Sequence, residues 1–199
     1  MFRVRDDFRR SQLAVAALFC FLGLQYATWA SRLPTVKSRL DLSAAELGLL
    51  LMACGAGAAA SFPLVAVLTK RLGSRRLSFV SAAGLVAVLL ALAVVPNYPV
   101  ALLIMCFDGV AVGCLNVAMN AQGAALEVKF ERNTMARLHA TFSAGSLLGA
   151  LLASGMNLLT SSMTAHFAVA GAILLLLAVY SQPGLLTDDQ APAEQAAGD

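Results

Sequence analysis

The residue whose type and position most suggest chemistry is Asp108, an acid in the middle of a long apolar stretch, residues 100–127. A carboxylate near the centre of a membrane helix costs about 2.5 kcal/mol or more, so it normally faces a bundle interior, a water-filled cavity or a partner. The chemistry it offers is the uptake and release of a proton. A structural role, in which a neighbouring helix such as the one carrying Gln25 holds Asp108 by a hydrogen bond, is the alternative.

Small and amide residues share one face of the helix that carries Asp108. At about 100° per residue, five of them fall within a stripe about 80° wide, whose edge is about 60° from Asp108. These residues are Gly109, Gly113, Asn116, Asn120 and Gly123. Either the glycines admit a neighbouring helix while the asparagines hydrogen-bond across the contact, or the face lines a solute path, to which Gln25 and Gln122 are further candidate contributors.

The composition indicates that membrane-spanning helices hold these residues. The chain is 59% hydrophobic and 13% charged, with a mean hydropathy of +0.78, whereas soluble domains are roughly 25% charged. Charges are absent from four stretches of 21, 23, 31 and 50 residues, which are 11–31, 47–69, 77–107 and 138–187. Since about 20 apolar residues cross a bilayer as a helix, the composition excludes a soluble protein.

Turn signals at 96–99 and 160–164 divide these stretches into six transmembrane helices. The predicted spans are 12–30, 43–69, 77–95, 100–126, 138–159 and 165–180. They form a bundle, residues 11–183, between a basic N-terminus, 1–10, and an acidic tail, 184–199, that is expected to be disordered. The predicted fold class is therefore an all-α membrane protein.

The basic residues predict the orientation of the bundle. Eleven Lys and Arg residues lie in the N-terminus and in the connections 70–76 and 127–137, and three lie in the connection 32–39. The positive-inside rule then places both termini in the cytoplasm, in a multi-pass protein of a bacterial inner membrane. Because this rule accounts for the basic clusters, nucleic acid is not an expected partner.

The two halves of the bundle are weakly similar to each other. In each half a long charged connection separates the first and second helices, and residues 42–48 and 138–145 are comparable in small residues. Three-helix repeats of opposite orientation build the halves of many transporters. Two inverted three-helix repeats are therefore expected.

Residues for hydrolytic, redox or metal chemistry are not suitably spaced. The four cysteines lie in apolar stretches without a CxxC pair. An intramembrane serine protease would need Gly-x-Ser-Gly, and Leu152 stands where the first glycine belongs before Ser154. Asn120-Ala-Gln lacks the proline of a channel Asn-Pro-Ala motif, and His139 and His166 are expected at the membrane interfaces. No enzyme activity, cofactor or metal is predicted.

The loop after the second helix resembles the signature loop of the major facilitator superfamily, in its amino-terminal six-helix half. In residues 67–77, VLTKRLGSRRL, Gly73 ends the helix, and the cations beside it are Arg71, Arg75 and Arg76. Glycine can adopt the αL conformation beyond a helix end, and cations there complement the helix dipole. The family usually has an acid three residues before this glycine, where this chain has Lys70, so the gating role of that acid is not implied.

Residues 113–120, GCLNVAMN, are similar to the fourth helix of the fucose-permease-like branch of that family. The resemblance implies a transporter that moves a small solute, such as a sugar or a drug-like molecule, by alternating access. In the sugar permease an acid thought to carry the proton occupies the position of Asn116. The family's proton route is therefore not implied, and Asp108, two turns earlier, is the replacement candidate.

Family members hold their solute between two six-helix halves, and six helices are predicted here. The expected partners are therefore the solute, the bilayer and a second six-helix half, either another copy of this chain or a separate chain. The alternative is a non-transporting membrane subunit or a truncated, inactive half-transporter.

Overall fold

A computed structural model describes residues 2–187, with side chains from residue 6 onward. The helices are α1 Phe2–Ala30, α2 Leu33–Arg39, α3 Ala44–Ala93, α4 Tyr98–Phe130, α5 Met135–Leu159 and α6 Met163–Ser181, followed by a 3₁₀ turn, Gln182–Gly184. Within the described residues, five helical segments are long and apolar enough to cross a membrane. The all-helical membrane class predicted from composition is confirmed.

Helix α3 is two arms that reverse direction at Gly73. The hydroxyl of Tyr98, just after α3 ends, donates a hydrogen bond of 3.0 Å to the carbonyl of Glu46, near its start. Arg39, just before α3, donates to the carbonyl of its last residue, Ala93, at 2.7 Å. Since about 1.5 Å per residue would hold the ends of a straight 50-residue helix far apart, the first arm, 44–72, and the second arm, 74–93, must fold back on each other.

The backbone of Gly73 makes this reversal possible. Its φ is 72° and its ψ is 159°. The positive φ agrees with the prediction from the sequence, but the ψ differs from that of the predicted αL conformation. This region of backbone space is open essentially to glycine, so a side chain at this position would be strained.

Glycines set the contacts between neighbouring helices. The spacing of Gly145, Gly149 and Ala153 predicts a close seam, and all three are buried on α5. A Cβ atom at Gly145 would collide with the carbonyl oxygen of Cys20 on α1. Backbone-to-backbone contact of this kind, rather than a hydrophobic driving force, holds helices together within lipid, so the predicted seam is confirmed as the joint between α1 and α5.

Hydrogen-bonded caps fix two of the helix starts. Ser43 and Glu46 form a capping box at the start of α3, with the Glu46 backbone N–H donating to Ser43 Oγ at 3.2 Å. The start of α5 differs from the prediction, since the helix begins at Met135 rather than residue 138. Glu127 accounts for the difference, because its carboxylate accepts from the backbone N–H groups of Thr134 and Met135.

Three other boundaries also differ from the prediction. Helix α1 extends back to Phe2 through the segment predicted as a separate N-terminus, since a helix can project beyond the bilayer where its residues are polar. The connection 32–39 contains α2, whose first turn holds a proline, where no N–H is lost. At the other end, Gly184 and Leu185 are buried rather than part of a disordered tail; the rest of that tail, 188–199, lies outside the described residues.

The basic segments gather at one end of the bundle, which we call the basic end. The Phe8 and Phe130 rings are 5.3 Å apart, and the Arg132 guanidinium lies 4.8 Å from the Phe8 ring. A Cβ atom at Gly184 would meet the carbonyl oxygen of Arg10 at 2.8 Å. The connections at 31–43, 94–97 and 160–162 gather at the opposite end, because Arg39, before α3, and Thr164, in the first turn of α6, both donate to the Ala93 carbonyl.

Candidate functional site

Asp108 is buried where three helical segments meet. The residue is 1% exposed, and its Oδ1 accepts a hydrogen bond of 2.8 Å from Nε2 of Gln25, which is 0% exposed. Gln25 lies on α1 and Asp108 on α4. The sequence hypothesis that a helix carrying Gln25 holds Asp108 therefore describes the observed contact.

The second carboxylate oxygen meets a residue that sequence analysis missed. Sγ of Cys54, on the first arm of α3, donates to Oδ2 of Asp108 at 3.6 Å. A thiol is a weak donor, and Gln25 is neutral, so both hydrogen bonds described for the carboxylate come from uncharged groups. Cys54 lies in the second predicted helix, directly before the small residues 55–61, which indicate a close helix contact. Nothing in the sequence, however, pairs Cys54 with Asp108.

The two glycines nearest Asp108 on the predicted stripe are packing positions. A Cβ atom at Gly109 would collide with the Cys54 carbonyl oxygen and lie 2.7 Å from the Ala58 nitrogen. One at Gly113 would collide with the Ser61 hydroxyl. The packing interpretation therefore holds for this part of the stripe, and the same contact brings the Cys54 thiol to the carboxylate.

The two asparagines of the stripe hydrogen-bond to each other. Asn116 is exposed, and Asn120 is half-exposed. Nδ2 of Asn120 donates to the Asn116 backbone oxygen and to its Oδ1, both at 2.8 Å. Because the described hydrogen bonds of these amides run along α4 instead of to a neighbouring helix, the packing alternative does not describe the asparagines. They present a polar surface two turns and more from Asp108.

Gln122 does not share that surface, because it is 0% exposed and joins other elements. Its Nε2 donates to Ser74 Oγ at 2.7 Å and to the Leu186 carbonyl at 2.8 Å, and its Oε1 accepts from the Leu186 N–H at 2.8 Å. Gln122 thus connects α4 to the Gly73 reversal and to the segment after α6. Of the amides predicted to act together, only Gln25 contacts Asp108.

The cations of the signature loop surround the Gly73 reversal. Arg71 and Arg76 are exposed and Arg75 is half-buried. Their position next to the Ser74–Gln122 bond places them at the basic end, away from Asp108. The structure therefore separates the predicted residues into a buried site, Gln25 with Asp108, a polar surface, Asn116 with Asn120, and the Gly73 loop, which Gln122 joins.

Comparisons with known proteins identify the family of the chain. The sequence pattern of a protein family described as Major Facilitator Superfamily matches residues 13–198. An uncharacterized MFS-type transporter of Yersinia pestis is 38% identical over 174 residues, which are 84% of this chain and 44% of that protein. An uncharacterized transporter of Sinorhizobium fredii is 32% identical over 155 residues, 78% of this chain and 41% of that protein.

A third relative is the membrane protein MosC of Rhizobium meliloti, 38% identical over 136 residues, 68% of this chain and 33% of that protein. The chain therefore spans less than half of the length of each of these curated relatives.

Proposed function

The chain belongs to the major facilitator superfamily, and on that premise we propose that it forms one six-span half of a transporter in a bacterial inner membrane. The transporter moves a small solute, such as a sugar or a drug-like molecule, by alternating access, and Asp108 carries the coupling proton. The observation that carries the proposal is the buried Gln25–Asp108 bond, in which a carboxylate at membrane depth has a neutral partner.

Six spans result if each arm of α3 crosses the bilayer. The hydrocarbon core is about 30 Å thick, or about 20 helical residues. The arms 44–72 and 74–93 each reach that length, and the hydrogen bond between Tyr98 and Glu46 places their far ends together. With α1, α4, α5 and α6 they make six spans, and the eleven-to-three distribution of basic residues orients the basic end towards the cytoplasm.

Asp108 suits a proton carrier because its partners tolerate both of its charge states. Gln25 Nε2 and Cys54 Sγ donate to the carboxylate, which keeps the charged form solvated by the protein. When a proton binds, no buried cation is left without its counter-ion, which is the costly outcome when a buried ion pair is broken.

Gln25 also supplies a partner for the protonated form. Its second amide atom, Oε1, is buried and accepts no hydrogen bond within the described residues. A rotation of the amide by half a turn would direct Oε1 towards Asp108, where a protonated carboxyl can donate to it. Protonation of Asp108 on α4 is therefore coupled to a rotation of the Gln25 amide on α1.

The exposed asparagines support a second half as the partner. Asn116 would face lipid in a lone six-span bundle, and exposed amides at membrane depth are costly. The matched relatives are more than twice as long as the parts that this chain matches. A second six-span half, from another copy or a separate chain, would cover this surface and enclose the solute path along Asn116 and Asn120.

The Gly73 loop is the hinge in this proposal. Gln122 joins the loop to the end of α6 through Ser74 and Leu186, and Arg71, Arg75 and Arg76 surround the same turn. Movement of the two arms of α3 during alternating access would be transmitted through this joint.

A second candidate is a membrane subunit that folds but moves no solute. The Gln25–Asp108 bond also favours this alternative, because it joins α1 to α4 and could serve packing alone. Replacement of the carboxyl by an amide of the same shape distinguishes the two functions, because it removes the titrating proton and keeps the packing.

Uptake by the full-length protein tests the proposal. Cells that express the wild type should accumulate a solute, identified from a panel of labelled sugars and small drugs, against its gradient. Asp108→Asn should abolish accumulation while exchange of internal for external solute continues. Asn120→Asp/Asp108→Asn, which restores an acid on α4, is the matched control for the position of the carboxyl. Full accumulation by Asp108→Asn would contradict proton coupling. Absence of uptake by the wild type would favour the second candidate, a membrane subunit that moves no solute.

A further inference from the structure

A cluster of buried nitrogen atoms lies at the end of the bundle opposite the basic end. Arg32, two residues beyond α1, is 4% exposed, and its Nε donates a hydrogen bond of 3.0 Å to Nδ1 of His166 on α6. His166 is 0% exposed, and Trp29, whose carbonyl accepts from the Arg32 backbone N–H at 3.0 Å, is 3% exposed. His166 lies near the start of α6, which begins at Met163, and is enclosed by protein.

Each of the three side chains has a buried nitrogen without a partner among the described residues. The atoms are Nε1 of Trp29, Nη2 of Arg32 and Nε2 of His166. Because Nδ1 of His166 accepts from Arg32, the imidazole proton lies on Nε2, so all three nitrogens are hydrogen-bond donors. Buried donors are paired in the large majority of cases, so three buried donors on residues that are joined by hydrogen bonds favour an acceptor supplied from outside the chain.

The charge of the cluster identifies the kind of acceptor. A guanidinium stays charged at every physiological pH, and its only described side-chain partner is a histidine that acts as a neutral acceptor. The first turns of α6, which begins at Met163, add the partial positive charge of a helix N-terminus. A buried cation normally has an anionic partner, and none of the hydrogen bonds described for Arg32 supplies one.

We propose that Arg32, together with His166 and Trp29, binds the carboxylate of a small organic acid. A carboxylate carries one negative charge, which matches the single formal charge of the cluster, whereas a phosphate dianion would leave one charge buried and uncompensated. Its planar oxygens also suit the N–H groups of a guanidinium, which pair with carboxylates in parallel. The site is separate from Asp108 and goes beyond the proposed transport function.

Trp29 makes the site directly observable, because it is the only tryptophan in the chain. The full-length protein, purified in an uncharged detergent, would be titrated with sodium acetate at constant ionic strength, with the sodium salt of a bulky sulfonate as the balancing salt. The expected result is a saturable change in tryptophan fluorescence, with a weaker response to phosphate.

Arg39 provides the matched control, because it lies at the same end but donates to the Ala93 carbonyl. Arg32→Gln should weaken acetate binding at least about tenfold, since a charge-assisted hydrogen bond is lost, while Arg39→Gln should bind as the wild type does. Arg32→Lys keeps the charge and serves if Arg32→Gln fails to fold; it should bind with intermediate affinity because the paired N–H geometry is lost.

Two results would overturn the proposal. One is a wild-type titration with acetate that shows no saturable change, including the case in which only added phosphatidylglycerol produces one. The other is a folded Arg32→Lys or Arg32→Gln protein whose acetate affinity equals that of Arg39→Gln.

Discussion

Nε2 of Gln25 and Oδ1 of Asp108 are 2.8 Å apart, in a hydrogen bond that joins α1 to α4 across 83 positions of sequence. Both side chains are almost completely buried. Loss of this hydrogen bond would destabilise both helices, because a buried donor or acceptor that loses its partner cannot form a replacement hydrogen bond with water. Packing of α1 and α4 and the chemistry of the carboxyl therefore depend on the same amide.

Replacing Gln25 with leucine should destabilise the protein. The Asp108 carboxylate would keep only the weak Cys54 donor, and a charged acceptor left short of partners costs about 1–3 kcal/mol. Thermal unfolding in detergent measures the loss. The double variant Gln25→Leu/Asp108→Leu should recover part of it, because removing both partners costs less than removing one. A Gln25→Leu protein as stable as the wild type would show that the bond contributes nothing.

Gly109→Ala should separate α4 from the first arm of α3. The new Cβ would collide with the backbone of Cys54, and overpacking of this kind costs about 1–3 kcal/mol. Gly55→Ala is the matched control, since it lies in the same first arm and nothing lies within 4 Å of the added atom. Melting temperatures should fall for Gly109→Ala and stay level or rise for Gly55→Ala. Equal changes in the two variants would contradict the close contact.

Sequence patterns predicted the membrane class and the turn at Gly73 because both depend on local composition. Stretches without charged residues can be read directly from the sequence, and so can a glycine between two pairs of basic residues. The ends of the helices were harder to predict. The start of α5 depends on Glu127, which reaches across a turn to two backbone N–H groups, and such a contact has no periodic signal.

The site was predictable in its central residue but only partly in its partners. Asp108 stands out because an acid in an apolar span is rare. Its neighbour Cys54 could not be identified, since the contact depends on how closely Gly109 admits the other helix. The angular position of Asn116 around α4 could be predicted from the sequence. Whether a neighbouring helix covers that face could not, and Asn116 is exposed.

Topology can be read from the accessibility of single cysteines. Arg76 and Asn133 are exposed at the basic end, and Lys37 is exposed at the other. In intact cells an impermeant thiol reagent should label Lys37→Cys and leave Arg76→Cys and Asn133→Cys unlabelled until the membrane is broken. Ser74 would be a poor probe because it is buried against Gln122. Labelling of Arg76→Cys from outside would reverse the proposed orientation.

Infrared spectroscopy of the Asp108 carboxyl tests the central claim most directly, because it detects the proton on this side chain without a known solute. A proton carrier has to titrate near its operating pH, roughly between pH 5 and 8. The difference spectrum between wild type and Asp108→Asn should therefore show a protonated-carboxyl band at the acid end of that range that disappears towards the alkaline end. A band that is absent, or present and unchanged, across the whole range would contradict the assignment of Asp108 as the proton carrier.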